Sequence, residues 1–310
     1  MISIYKSTEF GLEKVNDYVN NCWINVVDPT PEEIIHLQGL GLPADFVTYP
    51  LDIDERSRTE RDDDGKILIV LRIPYFRGEN VDIPYGTIPL GIVMTDRHIF
   101  TICRYTNEII DELSSGRMRG LSTGKRNRFV LRVLLATANK YLSFLREINR
   151  QVDEREDALE RSMANKEVMQ LLKYQKSLVY FTTALRSNEL MLERLQRSQL
   201  FHMYADDEDL LDDVIIENQQ AIEMTNISSN ILSSMMDAFA SIISNNLNVV
   251  MKFLTSVTIV MSIPTIITGF FGMNVDIPGA THSLAYMTIF LAIVMVSGVV
   301  VLIFNKRQWF

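Results

Sequence analysis

Residues 253–271 of the 310-residue chain read FLTSVTIVMSIPTIITGFF, and residues 284–304 read LAYMTIFLAIVMVSGVVVLIF. Neither stretch contains a charged residue. A helix of about 20 residues, at about 1.5 Å per residue, crosses the roughly 30 Å hydrocarbon core of a bilayer. Two buried helices of a soluble protein are an alternative, but such helices are rarely apolar on every side. The two stretches therefore predict a pair of membrane-spanning helices.

The residues that flank the two spans predict their orientation. The connecting segment, residues 272–283, has no Lys or Arg, whereas the basic sequence NKRQW follows the second span. Basic flanks favour the cytoplasmic side of a membrane. The N-terminal sequence MISIYKSTEF has neither the basic nor the apolar region of a signal peptide. We therefore expect a multi-pass protein of the cell membrane with both termini in the cytoplasm and two helices in the lipid bilayer.

The charge of the chain is distributed unevenly around a net value of −9. Beyond residue 248 the only acid is Asp276 and the only bases are Lys252, Lys306 and Arg307, which leaves 38 acids and 27 bases upstream. Such an acidic body repels the phosphates of nucleic acids and attracts cations. We expect divalent cations, and no nucleic acid, among the partners.

Cysteines, histidines and short motifs give no indication of an enzyme. Cys22 and Cys103 are far apart in sequence, which predicts buried thiols in a reducing compartment. A phosphate-binding loop, a nucleophile elbow and a paired-carboxylate motif are all missing from the sequence. We expect no catalytic residues and no organic cofactor. The four histidines lack the spacing of a zinc site: His36, His98, His202 and His282.

Upstream of the spans the character of the sequence changes near residue 125. KILIVLRIP (66–74) and IPLGIVMTDRHIFTICR (88–104) predict strands, the second folded as a hairpin, and TPEEIIHLQGLGLP (30–43) predicts a helix capped by Thr30. The charged run DERSRTERDDDGK (54–66) predicts a solvated helix end and turn. Between Arg126 and Pro264 proline is absent and apolar residues recur at a helical period. This pattern predicts long helices that break near residues 164–165 and 205–206.

The chain is thus predicted to be an α+β membrane protein made of six segments. These are a cytoplasmic α/β domain (1–125), a stalk of long helices (126–247), the pore-lining end of the stalk with the first transmembrane helix (248–271), an external loop (272–283), the second transmembrane helix (284–304) and a basic cytoplasmic tail (305–310).

A polar stripe, here called the seam, runs along the helix that enters the membrane. Its positions follow an alternating spacing of three and four residues, as in helical bundles, while the other faces are apolar. This pattern is typical of a pore-lining helix. Hydroxyls that merely bond back to carbonyls of their own helix are the alternative interpretation. One chain cannot enclose a pore with two spans, so the pore interpretation requires an oligomer. The seam comprises Asn248, Met251, Thr255, Thr258, Ser262, Thr265 and Gly269.

The same spacing continues below the membrane to Asp237, which would form a ring of carboxylates in a parallel oligomer. Between Arg197 and Lys252 the chain contains no base, and the resulting negative field would concentrate divalent cations. For the first acids of this region, compensation of a helix dipole is an alternative explanation. The acids of the region are Asp206, Asp207, Glu208, Asp209, Asp212, Asp213, Glu217, Glu223 and Asp237.

The segment NVVMKFLTSVTIVMSIPTIITGFFGMN (248–274), followed by a base-free loop, a second span and a basic tail, resembles the CorA family of magnesium transport proteins. LDIDERSR (51–58) and the long helices extend the resemblance over essentially the whole chain. The resemblance implies a funnel-shaped homopentamer with an α/β/α cytoplasmic domain. It implies influx of Mg2+, and also of Co2+, with Mg2+ acting as the regulatory ligand as well.

The resemblance also implies roles for individual residues. Asn274 of the Gly272-Met273-Asn274 motif would select hydrated ions at the outer mouth, and Asp237 would form the cytoplasmic acidic ring. Asn248 and Met251 would line the inner pore. Asp213 would bind regulatory Mg2+ between subunits, with Glu79 or Asp82 of a neighbouring N-terminal domain as its partner.

The sequence departs from the family pattern at Phe271, where Tyr is more usual, and around Pro264, which leaves the position of the hydrophobic gate open. A proton-coupled Zn2+ transporter of the same architecture is the alternative function, although such relatives usually lack the Met that this chain keeps at Met273. A membrane-anchored scaffold that transports nothing is a third interpretation. It predicts that Leu is tolerated at Thr258 or Ser262.

Overall fold

The structure is a computed structural model, and it describes residues 1–9, 11–116, 120–162, 165–197, 205–273, 284–307 and 309. Within these ranges, the side chains of residues 157–162, 165 and 205 are not described. The chain divides into two compact units, Met1–Ser234 and Met235–Phe310, and each is described by itself. The predicted stalk, 126–247, crosses the division between the two units, and the bounds of the six predicted segments stay predictions.

The described residues of the first unit form one sheet of seven strands, which confirms the predicted α/β domain. The sheet order is β2-β1-β3-β7-β6-β5-β4, and all neighbours are antiparallel except β3 and β7. The strands are β1 (Ile2–Thr8), β2 (Gly11–Val15), β3 (Trp23–Val27), β4 (Arg58–Arg61), β5 (Ile67–Phe76), β6 (Tyr85–Met94) and β7 (Ile99–Cys103).

Helices cover both faces of this sheet because its central strands are apolar on both sides. Along β5, Ile67 and Ile69 belong to a core shared with helices α3 to α6, whereas Leu68 belongs to a second core shared with α1 and α2. Alternation along a strand sends successive side chains to opposite faces. The helices are α1 (Pro31–Gly39), α2 (Ala44–Thr48), α3 (Glu108–Ser114), α4 (Arg126–Ser162), α5 (Asn165–Arg197) and α6 (Ala205–Phe271), and a 3-10 turn (Tyr49–Leu51) follows α2.

Two local predictions are confirmed by their hydrogen bonds. Thr30 caps α1 by accepting a hydrogen bond from the Glu33 amide, and the Glu33 carboxylate accepts one from the Thr30 amide in return. The predicted hairpin turns between β6 and β7, where the Thr95 amide donates to the His98 carbonyl at 3.0 Å.

The prediction of a solvated helix end at residues 54–66 is wrong. Residues Arg58–Arg61 form the edge strand β4, which pairs with β5, and the chain then turns through Gly65, whose φ of +84° suits glycine. Charged side chains commonly protect an edge strand from pairing with other chains. Because these residues are charged, their sequence did not indicate a strand.

A buried polar network joins β5 to helices α4 and α5. The guanidinium of Arg72 donates to the carbonyls of Ile53, Glu55 and Thr87, and burial lowers its pKa from the ordinary value. The side chain of Asn188 accepts from the Arg72 amide at 3.0 Å and donates to the Arg72 carbonyl at 2.8 Å. The hydroxyl of Tyr141 donates to the same carbonyl.

The long helices break where the sequence predicts. Helix α4 ends at Ser162 and α5 begins at Asn165, and α6 then runs without interruption for 67 residues, with Pro264 inside it. Helix α7 (Ala285–Lys306) follows. Both α6 and α7 contain a segment that is long and apolar enough to span a membrane. Only 6% of the segment in α6, and none of the segment in α7, is buried within the chain. Such exposure distinguishes the segments from the core helices of a soluble protein.

We predict that Asn188→Ala destabilises the protein by about 1–3 kcal/mol, because it removes hydrogen bonds to the buried main chain of Arg72. The thermal unfolding midpoint of the detergent-solubilised protein measures the effect. Thr183→Ala is the matched control, since Thr183 lies exposed on the same helix and its hydroxyl bonds only to the Val179 carbonyl. Equal midpoints for the two variants would contradict the role of this network.

Candidate functional site

The seam residues of α6 all lie exposed along one stripe of a continuous helix. Every one of the seven positions from Asn248 to Gly269 is exposed within the chain, and Met251 is 55% exposed. At 100° per residue, these positions fall within about 100° of one another around the helix axis. The prediction that they share one face therefore agrees with the helical geometry. Their proposed role as the lining of a pore stays a prediction.

A different face of α6 is shielded within the second unit. From residue 248 to residue 271, Ser256 is fully buried and four further positions are partly buried: Val260, Ile263, Pro264 and Ile267. Helix α7 also carries one partly buried face, formed by Ala285, Ile289, Ile293, Ser297, Val300 and Phe304. Each of the two helices therefore has one face that is shielded within the chain and other faces that are exposed.

The seam and the shielded face of α6 lie almost opposite each other. At 100° per residue, their mean directions differ by about 150° around the helix axis. The seam therefore points away from the face that α6 buries within the chain. Within a membrane, such a stripe can meet lipid or another copy of the chain.

The hydroxyls of the seam bond to carbonyls of their own helix, as the alternative interpretation expects. Thr258 donates to the Leu254 carbonyl at 2.8 Å and Ser262 donates to the Thr258 carbonyl at 2.8 Å. Thr265 donates to the Met261 carbonyl at 3.4 Å. A hydroxyl has one donor and two acceptor sites, so these bonds use the donors and leave exposed acceptors along the stripe.

The Gly272-Met273-Asn274 motif begins where α6 ends. The Gly272 amide donates to the Thr268 carbonyl at 2.9 Å, and the Met273 amide donates to the Phe270 carbonyl at 3.4 Å. A Cβ on Gly272 would lie 3.1 Å from the Thr268 carbonyl oxygen, so glycine fits this close approach. Met273 is exposed. Asn274 and the rest of the predicted external loop to residue 283 lie outside the described residues.

The acids of α6 differ in whether a base pairs with them. The guanidinium of Arg128 donates to Asp207 at 2.8 Å and to Asp206 at 3.2 Å, and Asp207 is buried. Both acids also lie in the first turn of α6, where they compensate the helix dipole. These two therefore have structural roles. Asp213 and Asp237 are exposed, and among the described residues neither has a base within ion-pair distance.

The two candidate partners of Asp213 lie in the connection between β5 and β6. Asp82 is paired with Lys176, whose ammonium lies 2.9 and 2.7 Å from the carboxylate oxygens. The charge of Glu79 contributes to the raised pKa values of Tyr85 and Tyr174, after the larger effect of burial. Within the described ranges of one chain, no three His, Cys, Asp or Glu side chains are placed to hold a metal ion.

The cysteines are buried thiols, as predicted. Cys22 is 0% exposed and Cys103 is 1% exposed, and neither is in a disulfide. Burial raises the pKa of both thiols, that of Cys103 to about 11. His98 contacts the Cys22 sulfur at 3.3 Å and His36 contacts the Tyr18 hydroxyl. His202 and His282 lie outside the described residues.

Sequence reasoning missed two contacts that depend on distant residues. Arg128 and Asp207 are 79 positions apart, and Lys176 and Asp82 are 94 positions apart. One indication of the ion pairs between Arg128 and the acids of α6 was present in the sequence, namely the basic run at the start of α4. Nothing in that run specifies which acids it pairs with.

Comparison with known proteins connects this geometry to a family. A family model described as CorA-like Mg2+ transporter protein matches residues 20–307. The chain is 28% identical over 298 residues to the cobalt/magnesium transport protein CorA of Methanocaldococcus jannaschii, covering 93% of this chain and 90% of that protein. It is also similar to the zinc transport protein ZntB of Yersinia enterocolitica, at 21% identity over 282 residues, covering 90% and 85%.

A solved structure is similar over the full length. The complete structure of the CorA magnesium transporter from Methanocaldococcus jannaschii matches with a TM-score of 0.85 and 26% identity, covering 100% of this chain and 99% of that chain. The similarity includes the N-terminal α/β domain, the long helix and the two candidate spans.

Proposed function

Since the chain belongs to the family of CorA-like Mg2+ transporter proteins, we propose that it mediates influx of divalent cations, Mg2+ and also Co2+, across the cell membrane. The working form is a funnel-shaped homopentamer with both termini in the cytoplasm. The observation that carries the proposal is the position of the seam, which lies almost opposite the shielded face of α6 and has its acceptors exposed. In a homopentamer, five such stripes enclose one path.

The chemistry of the seam suits a hydrated cation. Mg2+ holds its water in an octahedron and dehydrates reluctantly, so the outer surface of the ion presents water hydrogens. The hydroxyls of Thr258 and Ser262 have donated to their own helix, and their oxygens remain available to accept from that water. No carboxylate lies on the seam between Asn248 and Gly269. The hydrated ion therefore passes without a tight site in the membrane.

Charge below the membrane concentrates the ion. Asp237 forms a ring of carboxylates on the proposed axis and Asn248 forms a ring of amides above it. The absence of Lys and Arg between Arg197 and Lys252 leaves this field uncompensated by neighbouring residues of α6.

Ion selection occurs at the outer mouth. Five Asn274 amide oxygens, with backbone carbonyls brought close by Gly272 and Met273, accept hydrogen bonds from the coordinated water. Neutral oxygens discriminate by the size and geometry of the hydrated ion without binding it too tightly to release.

Regulation by cytoplasmic Mg2+ occurs between subunits. Asp213 of one subunit and Glu79 of its neighbour share the ion, which cancels their repulsion and holds the channel closed; loss of the ion loosens the interface. Glu79 is preferred over Asp82 because Asp82 is already paired with Lys176.

The alternative function is proton-coupled Zn2+ transport. It is supported by the similarity to ZntB, which is weaker than the similarity to the cobalt/magnesium transport protein. Zn2+ favours His and Cys ligands, and the described residues offer no such group. Retention of Met273 also favours Mg2+.

We predict that Thr258→Cys and Ser262→Cys make Mg2+ flux sensitive to a cationic, water-soluble thiol reagent. Modification places a fixed positive charge in the path, so flux in reconstituted vesicles falls by about tenfold or more. The wild type is the first control, since both native thiols are buried.

Val257→Cys and Met261→Cys are the matched controls for the helix face. Both positions are exposed within the chain but lie about 90° or more from the seam. Insensitivity of the seam variants, or equal sensitivity of all four, would favour a lipid-facing stripe and hence the scaffold interpretation.

We predict that Asn274→Ala lowers Mg2+ flux, or its preference for Mg2+ over monovalent ions, by about tenfold or more, because the amide acceptors are lost. Uptake is measured for Mg2+, Co2+ and Zn2+, with and without a pH gradient. Asn305→Ala, at the end of α7, should leave uptake unchanged. Zn2+ uptake that needs a pH gradient and exceeds Mg2+ uptake would establish the alternative function instead.

We predict that Asp213→Ala raises by about fivefold or more the cytoplasmic Mg2+ concentration needed for half-inhibition, because the shared ion loses a carboxylate. Inhibition of Mg2+ current in patches exposed to graded cytoplasmic Mg2+ provides the measurement. Asp212→Ala is the adjacent control, since Asp212 is also exposed and only accepts from Gln196 at 3.4 Å. Unchanged inhibition in the Asp213 variant would refute this regulatory assignment.

A further inference from the structure

Three bases in the last part of the chain lie at the ends of the two apolar spans. Lys252, Lys306 and Arg307 are the only bases after Arg197, in a region that contains ten acids. Lys252 directly precedes the first apolar span, and the other two follow the second span after Asn305. A chain that crosses a bilayer twice returns to the side from which it left. All three bases therefore lie at the same surface of the membrane.

These bases are exposed and have no ion pair within the described part of the chain. Lys252 lies roughly a quarter turn from the seam around α6, so it is not aligned with the proposed ion path. Three cations close to one surface, unpaired with any carboxylate in the part of the chain that the structure describes, provide a site for an external anion.

The end of α7 adds an aromatic anchor beside the two last bases. The Arg307 amide donates to the Ile303 carbonyl at 3.0 Å, and the Trp309 amide donates to the Phe304 carbonyl at 3.0 Å. These bonds fold the tail back, and the Trp309 ring stacks on Phe304 with centroids 5.2 Å apart and planes 4° apart. Trp309 is thereby held beside the last apolar turn of the helix. Tryptophan prefers this position, at the boundary between hydrocarbon and headgroups.

We propose that Lys252, Lys306 and Arg307, anchored by Trp309, bind the phosphate of anionic phospholipids in the leaflet on this side of the membrane. Complementary charge favours an anionic headgroup, and the adjoining apolar spans favour a lipid over a free anion. The need for such a site follows from the rest of the chain. The acidic body repels an anionic leaflet, and these bases counter that repulsion where the helices enter it.

Trp309 allows this site to be tested in the intact protein. The chain contains two tryptophans, and the other, Trp23, is 0% exposed in the core of the α/β domain. Brominated lipids quench only tryptophans that they contact. The full-length protein is reconstituted in vesicles in which brominated phosphatidylglycerol or brominated phosphatidylcholine replaces the unlabelled lipid in steps. The quenching curves give the relative association constant of the two lipids at Trp309.

The wild type should prefer phosphatidylglycerol by about fivefold or more, the factor expected for one base near the surface. Lys306→Gln with Arg307→Gln should bring the ratio close to one, and Lys306→Arg should retain the preference. Arg197→Gln, which removes an exposed base far from the spans in sequence, should leave the ratio unchanged. Trp309→Phe should abolish the quenching.

A wild-type ratio of one would overturn the proposal, as would a preference that persists in the double Gln variant. These substitutions concern exposed residues, so the fold should be retained, and unchanged Trp23 emission in lipid without bromine checks this. The result does not depend on ion transport, because the assay requires only two spans and no flux.

Discussion

The hydrocarbon core of a bilayer offers no hydrogen-bond partner to a peptide group, and this constraint governs the second unit of the protein. Every backbone group in a span must be satisfied within its own helix, which is why residues up to Phe271 and from Ala285 form helices. The same constraint applies to polar side chains. Thr258 and Ser262 satisfy it by donating to carbonyls one turn back. A polar stripe can therefore be stable in one chain before any partner or ion arrives.

Because the seam is stable in a single chain, the direction in which it faces bears on its role. One face of α6 is shielded within the chain, and it includes the fully buried Ser256. If the hydroxyls of the seam served the packing of α6 within one chain, they would lie on that face. They lie almost opposite, among side chains that would otherwise be apolar. In the proposed oligomer these acceptors would line the ion path, whereas the contacts within a single chain give them no role.

The sequence predicted those features of the fold that depend on local patterns. The spans follow from two uncharged runs, α1 from the Thr30 capping box, and the β6–β7 hairpin from apolar strands on either side of a polar turn. Strand β4 was missed because its partner β5, rather than its own charged residues, determines its conformation. In the candidate site, the shared face of the seam was predictable from spacing alone.

Contacts between distant residues were not predictable in the same way. The pairing of Arg128 with Asp206 and Asp207 depends on how α4 and α6 approach, and no local pattern encodes that approach. The hydrogen bonds between Arg72 and Asn188 likewise required the packing of α5 on the sheet. The residues expected to bind regulatory Mg2+ belong to this class, since they are proposed to meet only between copies of the chain.

The distribution of charge along α6 gives a physical reason to separate conduction from regulation. A carboxylate inside a narrow, low-dielectric path would either bind a proton or hold a divalent cation too firmly to release it. On the seam, the last carboxylate before the membrane is Asp237, and the proposed path above it offers only neutral oxygens and a methionine sulfur. Asp213 lies in the first unit and is exposed to water. The proposal places tight binding of Mg2+ there, where occupancy would change the contact between subunits without blocking the path. A transporter that must both pass an ion quickly and sense its concentration needs these two affinities in two places.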